Sequence, residues 1–309
     1  MNKIQNMVTA GQASLLDMKQ GSGGAVFHRD FAPWHFPMVN DRKRNETIEK
    51  AVEKSNPRGK IVVEIGTGVG LVALLFAKHG AERVVTCEMN HSLASTASEI
   101  ISKTPYSTRI EVIYASSTEA IAHGLLPFNP DIIFTETLDC GVVGEGFVQI
   151  ARDIAKLAGP ETNIMPVNVR QRAIVVDSSA IADLNRTSAV CGFDLQALNR
   201  YSTRNYFPVH SELHKHRYLT ESQIVRDYRY VGGHEAELVP VTALENGTAH
   251  GLLSWFEANF GGATVTNEPF SKSHWHQAFH PLQNEISVRA GQELNLCIDD
   301  GGFASILPS

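Results

Sequence analysis

"KIVVEIGTGVGLVALLFAKHG", residues 60 to 80, decides the fold of the first half of the chain. KIVVEI is a short apolar, β-branched run and reads as a buried strand. GTGVG is a glycine turn, and LVALLFAKHG carries apolar residues at helical spacing. The same order then repeats: RVVTCE ends in Glu88, a helical stretch opens at His91, and RIEVIYAS and PDIIFTE are further strands. Strands alternating with helices predict a mostly parallel sheet covered by helices, a Rossmann-like α/β domain. Ligands bind such sheets beyond the carboxyl ends of the strands. Gly66, Gly68, Gly70, Glu88 and Glu136 all fall there.

The composition, 43% hydrophobic and 19% charged over 309 residues, allows a sizeable core in one large domain or two ordinary ones. No apolar run approaches the ~20 residues of a membrane helix. The stretch MNKIQNMVTAGQASLLDMKQGSGG has no apolar signal-peptide core, so the expectation is a cytoplasmic protein without a membrane partner. GSGG at residues 21 to 24 is a flexible joint, making residues 1–24 a flexible tail. Cys87, Cys140, Cys191 and Cys297 are scattered, with no C-x-x-C pair, so neither a metal site nor a disulfide framework is expected. A formal charge of −6 argues against nucleic acid as the main partner and is compatible with a cationic substrate.

The glycine spacing narrows the ligand. A dinucleotide fingerprint, G-x-G-x-x-G/A, would place a small residue where this chain has Leu71. Gly66-x-Gly68-x-Gly70 instead resembles the first motif of class I S-adenosylmethionine-dependent methyltransferases. That resemblance implies a backbone turn against the methionine part of the cofactor, with Glu88, at the next strand end, accepting from the ribose hydroxyls.

Four further stretches carry a more specific resemblance. HFPMVNDRKRN (35–45) is similar to an H-x-x-M-L-x-D-x-x-R segment and supplies His35, Met38, Asp41 and Arg44. YASSTEA supplies Thr118 and Glu119, ETLDCGVVGEG supplies Glu136 and Glu145, and FSKSHWHQAFHPL supplies His274 and Trp275 after Ser273. Together they resemble the protein arginine methyltransferases, from about residue 30 to about residue 295. The resemblance implies S-adenosylmethionine as cofactor, held by Arg44 through its carboxylate and by Thr118 and Glu119 at the adenine. His35 and Met38 would lie beside it. It also implies Glu136 and Glu145 as a clamp on the substrate guanidinium, Asp41 in contact with His274, and Trp275 and Met38 as pocket walls.

The chemistry fits those residue types. A guanidinium is planar and always protonated near neutral pH, hence a poor nucleophile. Two carboxylates would orient it, neutralise it and localise charge away from the nitrogen that attacks. Asp41 and His274 could accept the departing proton. Without the resemblance, Glu145 reads as a helix-end acid and Glu119 as a complement to a helix dipole.

After Pro166 the period-2 pattern of VRQRAIVVDS, VRDYRYV, HGLLSWFEANF and NEISVRAGQELNL predicts antiparallel strands. The expected division is therefore a cofactor domain over 25–165 and an antiparallel β-barrel over 166–309. Residues from about 190 to 220 fall where the family inserts a helical dimerisation arm, which implies a homodimer. One departure is the family's Y-F-x-x-x-Y lid, replaced at the corresponding positions by Ala25, Val26 and Arg29. The acceptor could be protein-bound arginine or free L-arginine. Another small guanidine or amine, or a catalytically silent binding partner, are the alternatives.

Overall fold

The computed structural model describes residues 31–233 and 238–308; the tail at 1–24 and the positions Ala25, Val26 and Arg29 lie outside them. Helices α1 (His35–Asn40) and α2 (Arg42–Lys54) lead into the alternating half: β1 (Ile61–Ile65), α3 (Leu71–Lys78), β2 (Arg83–Glu88) and α4 (His91–Ser102). These are followed by β3 (Ile110–Tyr114), α5 (Ser117–Ala122), β4 (Ile132–Thr135), α6 (Phe147–Leu157) and β5 (Asn163–Met165). The five strands are parallel, in the order β3-β2-β1-β4-β5. β1 and β4 are almost wholly buried, which is why they read as unbroken apolar runs rather than alternating ones. Chain order reverses between β1 and β4, so the crevice of this sheet opens at their carboxyl ends. Gly66 follows one strand and Glu136 the other.

Beyond Pro166 every paired strand among the described residues is antiparallel. The elements are β6 (Asn168–Asp177), α7 (Ser179–Ala182), β7 (Ala189–Val190), β8 (Phe193–Asp194), β9 (Phe207–Val209), β10 (Arg217–Tyr218) and β11 (Gln223–Tyr228). There follow β12 (Val239–Thr242), β13 (Gly247–Asn259), β14 (Thr264–Thr266), β15 (Gln277–Val288), β16 (Glu293–Ile298) and β17 (Ala304–Pro308). One sheet runs β10-β6-β13-β15-β9, with β11 added on β6 and β14 on β13; the other is β12-β16-β17. Apolar residues of both, Val175, Leu252, Leu294 and Leu296 among them, share one buried cluster. This half packs on the first where Phe260 stacks on Phe134 of β4, with centroids 5.5 Å apart.

Within the stretch expected to form a helical arm, the helical parts are two 3₁₀ turns, Gln196–Tyr201 beside the β7–β8 hairpin and Ser211–Leu213. Its later residues re-enter the large sheet as β9 and β10. Val190, Phe193, Leu195, Leu198 and Tyr201 stand exposed on the projecting part. No helix among the described residues is long and apolar enough to cross a membrane.

Candidate active site

The glycine turn is built as the sequence suggests, and for a steric reason. Gly66, Gly68 and Gly70 have φ of +88°, +54° and +85°, a region that side chains resist. The Gly66 N–H donates to the Cys87 carbonyl at 3.0 Å, which draws the turn across the end of β2. A Cβ at Gly66 would stand 2.8 Å from Cγ2 of Thr137, the residue after Glu136. Glu88 faces this turn: its two carboxylate oxygens accept from Gly68 N–H at 3.0 Å and Asn90 N–H at 2.9 Å. The result is a buried carboxylate at the floor of the crevice, with a backbone cradle beside it.

Beneath the cradle lies an acid that the sequence reading passed over. Glu64 in β1 is buried and its Oε2 has no hydrogen-bond partner. Burial pushes its carboxyl up to about 8, against a hydrogen bond from Thr86 that lowers it and with the charge of Glu88 adding to the rise. The signal was a charged residue inside the apolar run KIVVEI. Because the folded-state value is raised, the folded protein holds a proton there that the unfolded chain releases. This contribution to stability is full below about pH 4.5 and is lost as pH rises toward about 8. Glu64→Gln should therefore flatten the stability profile between these limits, where one differential proton corresponds to about 1.4 kcal/mol per pH unit. Urea midpoints measured across the range check it, and parallel profiles for the two proteins would refute it.

Across the crevice mouth, Arg44 and Glu136 meet as two forks. Arg44 Nε donates to Glu136 Oε1 at 3.1 Å, Nη2 donates to Oε2, and Nη1 donates to Asn45 Oδ1 at 2.9 Å. Both side chains are about 95% buried, with relative exposures of 5% and 6%. Burial lowers the guanidinium's pKa, but the charge and hydrogen bonds of Glu136 outweigh it and the net direction is up. Thus Arg44, expected to hold the cofactor's carboxylate, rests on the first glutamate of the expected clamp.

Asp41 sits one turn before Arg44 and joins two distant segments. It caps α2, accepting the Arg44 N–H at 3.0 Å, and its other oxygen accepts from His274 N–H at 3.1 Å and contacts His274 Nδ1 at 2.9 Å. The Asp41–His274 contact implied by the resemblance is present. Burial raises the Asp41 carboxyl, yet hydrogen bonds from Arg44 and His274 bring it below its ordinary value. His274 is lowered, mainly by burial, with Asp41 opposing.

Trp275 donates through Nε1 to the carbonyl of Leu138 at 2.8 Å, so it grips the loop between the two glutamates. Its ring lies 5.1 Å from Phe256 and 6.0 Å from the Arg44 guanidinium. Glu145 is half-buried and immediately precedes Gly146, the N-cap of α6. In α1, His35 stacks on Trp34 at 3.9 Å and contacts the Ala32 carbonyl through Nδ1 at 2.9 Å. Burial lowers its pKa, partly offset by Ala32 and by the charge of Glu88. Met38, half-buried, accepts the Asp41 N–H on its carbonyl at 3.2 Å.

Thr118 and Glu119, implied by the resemblance to lie at the adenine, both make local contacts here. Glu119 closes a capping box with Ser116, accepting the Ser116 N–H at 3.0 Å while Ser116 Oγ accepts the Glu119 N–H at 3.2 Å. The Thr118 hydroxyl donates to buried Asp153 of α6 at 2.6 Å. Both side chains thus serve local structure in this arrangement. Two other side chains were missed. Asn267 donates to the Cys140 carbonyl at 3.4 Å, and Tyr206 donates to Asp139 Oδ2 at 2.8 Å. Among the described residues no group of His, Cys, Asp and Glu could hold a metal ion.

Comparison with known proteins places this geometry in context. Residues 153–300 match the family model for the arginine methyltransferase oligomerization subdomain. The chain is 35% identical over 280 residues to the Arginine N(omega)-methyltransferase of Streptomyces achromogenes subsp. streptozoticus, covering 88% of this chain and 77% of that enzyme. It is 23% identical to Protein arginine N-methyltransferase 9 of Mus musculus, covering 85% of this chain but 36% of that longer protein. In fold it is similar to the Trypanosoma brucei PRMT1 enzyme-prozyme heterotetrameric complex with AdoHcy, with a TM-score of 0.72, 19% identity and 86% of each chain covered. Arabidopsis thaliana Protein Arginine Methyltransferase 10 matches with a TM-score of 0.68, 21% identity, and 87% and 88% of the two chains covered.

Proposed function

The chain belongs to the arginine N-methyltransferase family, and from that membership we propose that it transfers a methyl group from S-adenosylmethionine to a guanidino nitrogen of arginine. The observation that carries the proposal is the Arg44–Glu136 fork: the carboxylate at the end of β4 already receives a guanidinium edge with two hydrogen bonds. The residues present fit the cofactor. Gly66 leaves space that any Cβ would fill, and Glu88 offers a fixed carboxylate to a pair of hydroxyls. When bound, S-adenosylmethionine supplies the methyl group of its sulfonium.

Glu136 and Glu145 would hold the substrate guanidinium between them and leave one nitrogen facing the methyl group. Trp275 and Met38 would wall the pocket. Arg44 is the group for which Glu136 and a cofactor carboxylate would compete. His274, bound to Asp41 through Nδ1, keeps Nε2 as the atom that can take the proton lost from the methylated nitrogen. This role makes a signed prediction. Asp41 opposes the lowering of His274 by burial, so Asp41→Asn, which retains the cap of α2, should move the acid limb of kcat/KM to lower pH. A limb that moves upward would exclude His274 as the acceptor.

The relative matched over most of its own length is named for arginine, and the one matched over about a third is named for protein arginine. This favours free L-arginine as the acceptor. The oligomerization subdomain and the exposed Phe193, Leu198 and Tyr201 support a homodimer formed through the arm. The test is mass spectrometry of the protein with S-adenosylmethionine, free L-arginine and an arginine-rich peptide together. A mass gain corresponding to one methyl in place of one hydrogen is expected on L-arginine. A gain on the peptide alone would redirect the proposal to protein substrates, and none on either would remove it.

A further inference from the structure

The loop between the two glutamates holds two glycines, Gly141 and Gly144, that the catalytic reading leaves unexplained, and the structure shows what they accommodate. A Cβ at Gly141 would stand 2.5 Å from the ring of Tyr206, and one at Gly144 would stand 2.3 Å from Asp139 Oδ2 and 2.7 Å from Tyr206 Oη. Gly302, far away in sequence, would meet the same ring at 2.5 Å. Tyr206 is therefore seated in a slot lined by glycines, 1% exposed, at the point where the arm returns to β9.

What the slot holds is a buried hydrogen-bond network centred on Asp139, itself 1% exposed. Asp139 Oδ2 accepts from Tyr206 Oη at 2.8 Å, while Oδ1 accepts from Gly141 N–H at 3.2 Å and Gly144 N–H at 3.0 Å. The Asp139 carbonyl accepts the Val142 N–H at 3.1 Å. Val142 is buried with φ of +77°, a conformation a β-branched residue keeps only when its surroundings enforce it. The residue gripped through its N–H, Gly144, immediately precedes Glu145. Leu138 and Cys140, on either side of Asp139, are held by Trp275 and Asn267.

We propose that Asp139 and Tyr206 are positioning residues for Glu145: the phenol from the base of the arm fixes the Asp139 carboxylate, which fixes the strained loop and hence the seat of the second glutamate. Neither residue touches the acceptor. The inference rests on the reading of Glu145 as a clamp carboxylate. Loss of the Tyr206 hydroxyl leaves a buried carboxylate with one partner fewer and loosens the Gly144 peptide without altering Glu88 or the glycine turn.

The test uses Tyr206→Phe, Asp139→Asn and the double variant, with amide hydrogen exchange, acceptor kinetics and cofactor binding measured on each. Tyr206→Phe should raise exchange over residues 138–146 about tenfold, the factor expected for one hydrogen bond to a buried carboxylate. Acceptor kcat/KM should fall by a similar factor, with cofactor Kd unchanged. Asp139→Asn can still accept both glycine N–H groups and present its amide to the Tyr206 oxygen, so it should stay near wild type. The double variant replaces a buried carboxylate short of one partner by a neutral amide, so it should melt above Tyr206→Phe without regaining acceptor kcat/KM. Unchanged exchange over 138–146 in Tyr206→Phe would overturn the proposal, as would turnover recovered in step with melting temperature in the double variant. If the wild type methylates neither arginine nor peptide, the clamp reading fails, and the exchange result still decides whether Tyr206 holds the loop.

Discussion

Glu136→Gln is expected to lower turnover about a thousandfold while cofactor affinity holds or rises. The substitution keeps the size of the side chain and one acceptor oxygen but removes the charge that neutralises a guanidinium and the second arm of its fork. Removal of a preorganised polar group aimed at the reacting centre typically costs about 10²–10³ in rate, and here an attractive charge is lost as well. A thousandfold corresponds to about 4 kcal/mol of transition-state stabilisation. Cofactor binding should move in the opposite direction because Arg44 currently makes two hydrogen bonds to Glu136. Once Glu136 is neutral, a cofactor carboxylate has no anionic competitor for that guanidinium. The ligand-free variant should melt lower, since Arg44 is left buried without its counter-charge, and recover on addition of S-adenosylhomocysteine. Single-turnover rates together with calorimetric binding separate the two effects. Retention of most of the activity would discard the clamp.

Gly66→Ala is expected to weaken cofactor binding about a hundredfold, for two reasons that can be taken apart. The φ of +88° at Gly66 opposes any Cβ, at about 1–2 kcal/mol. The Cβ would also meet Thr137 Cγ2 at 2.8 Å, pressing on the residue that follows Glu136. Relief of either strain moves the turn or the clamp. Thr137→Ser removes that methyl and keeps the hydroxyl that contacts Thr135 Oγ1 at 3.1 Å. Gly66→Ala with Thr137→Ser should therefore recover part of the binding, leaving the backbone contribution. Titration with S-adenosylhomocysteine measures it, and wild-type affinity in the single variant would mean that the turn is not the cradle.

The α/β half was legible because its signals are local: a β-branched run, a glycine turn and a helical apolar spacing all lie within residues 60 to 80. The acids at the strand ends followed from the same pattern. The Asp41–His274 contact spans 233 residues, and no spacing rule predicts it; it came from resemblance alone. Resemblance was also what placed Glu119 at the adenine, whereas the capping box it closes with Ser116 is legible from their spacing alone. Arg44 had several conceivable anionic partners, and its choice of Glu136, 92 residues away, is set by how α2 crosses the end of β4. Tyr206 and Asn267 were beyond reach because each acts on a loop that the other half of the chain supplies. Residues 207–209 and 217–218 are strands too short to show a period, so their return to the large sheet was hidden inside the expected arm.

Arg44 is tethered from its own helix as well as from the acid: Nε and Nη2 donate to Glu136, and Nη1 donates to Asn45. Asn45 is in turn fixed by donating to the Val39 carbonyl at 2.7 Å, so the guanidinium would keep a hinge on α2 while Glu136 turns to a second cation and a cofactor carboxylate takes the freed edge.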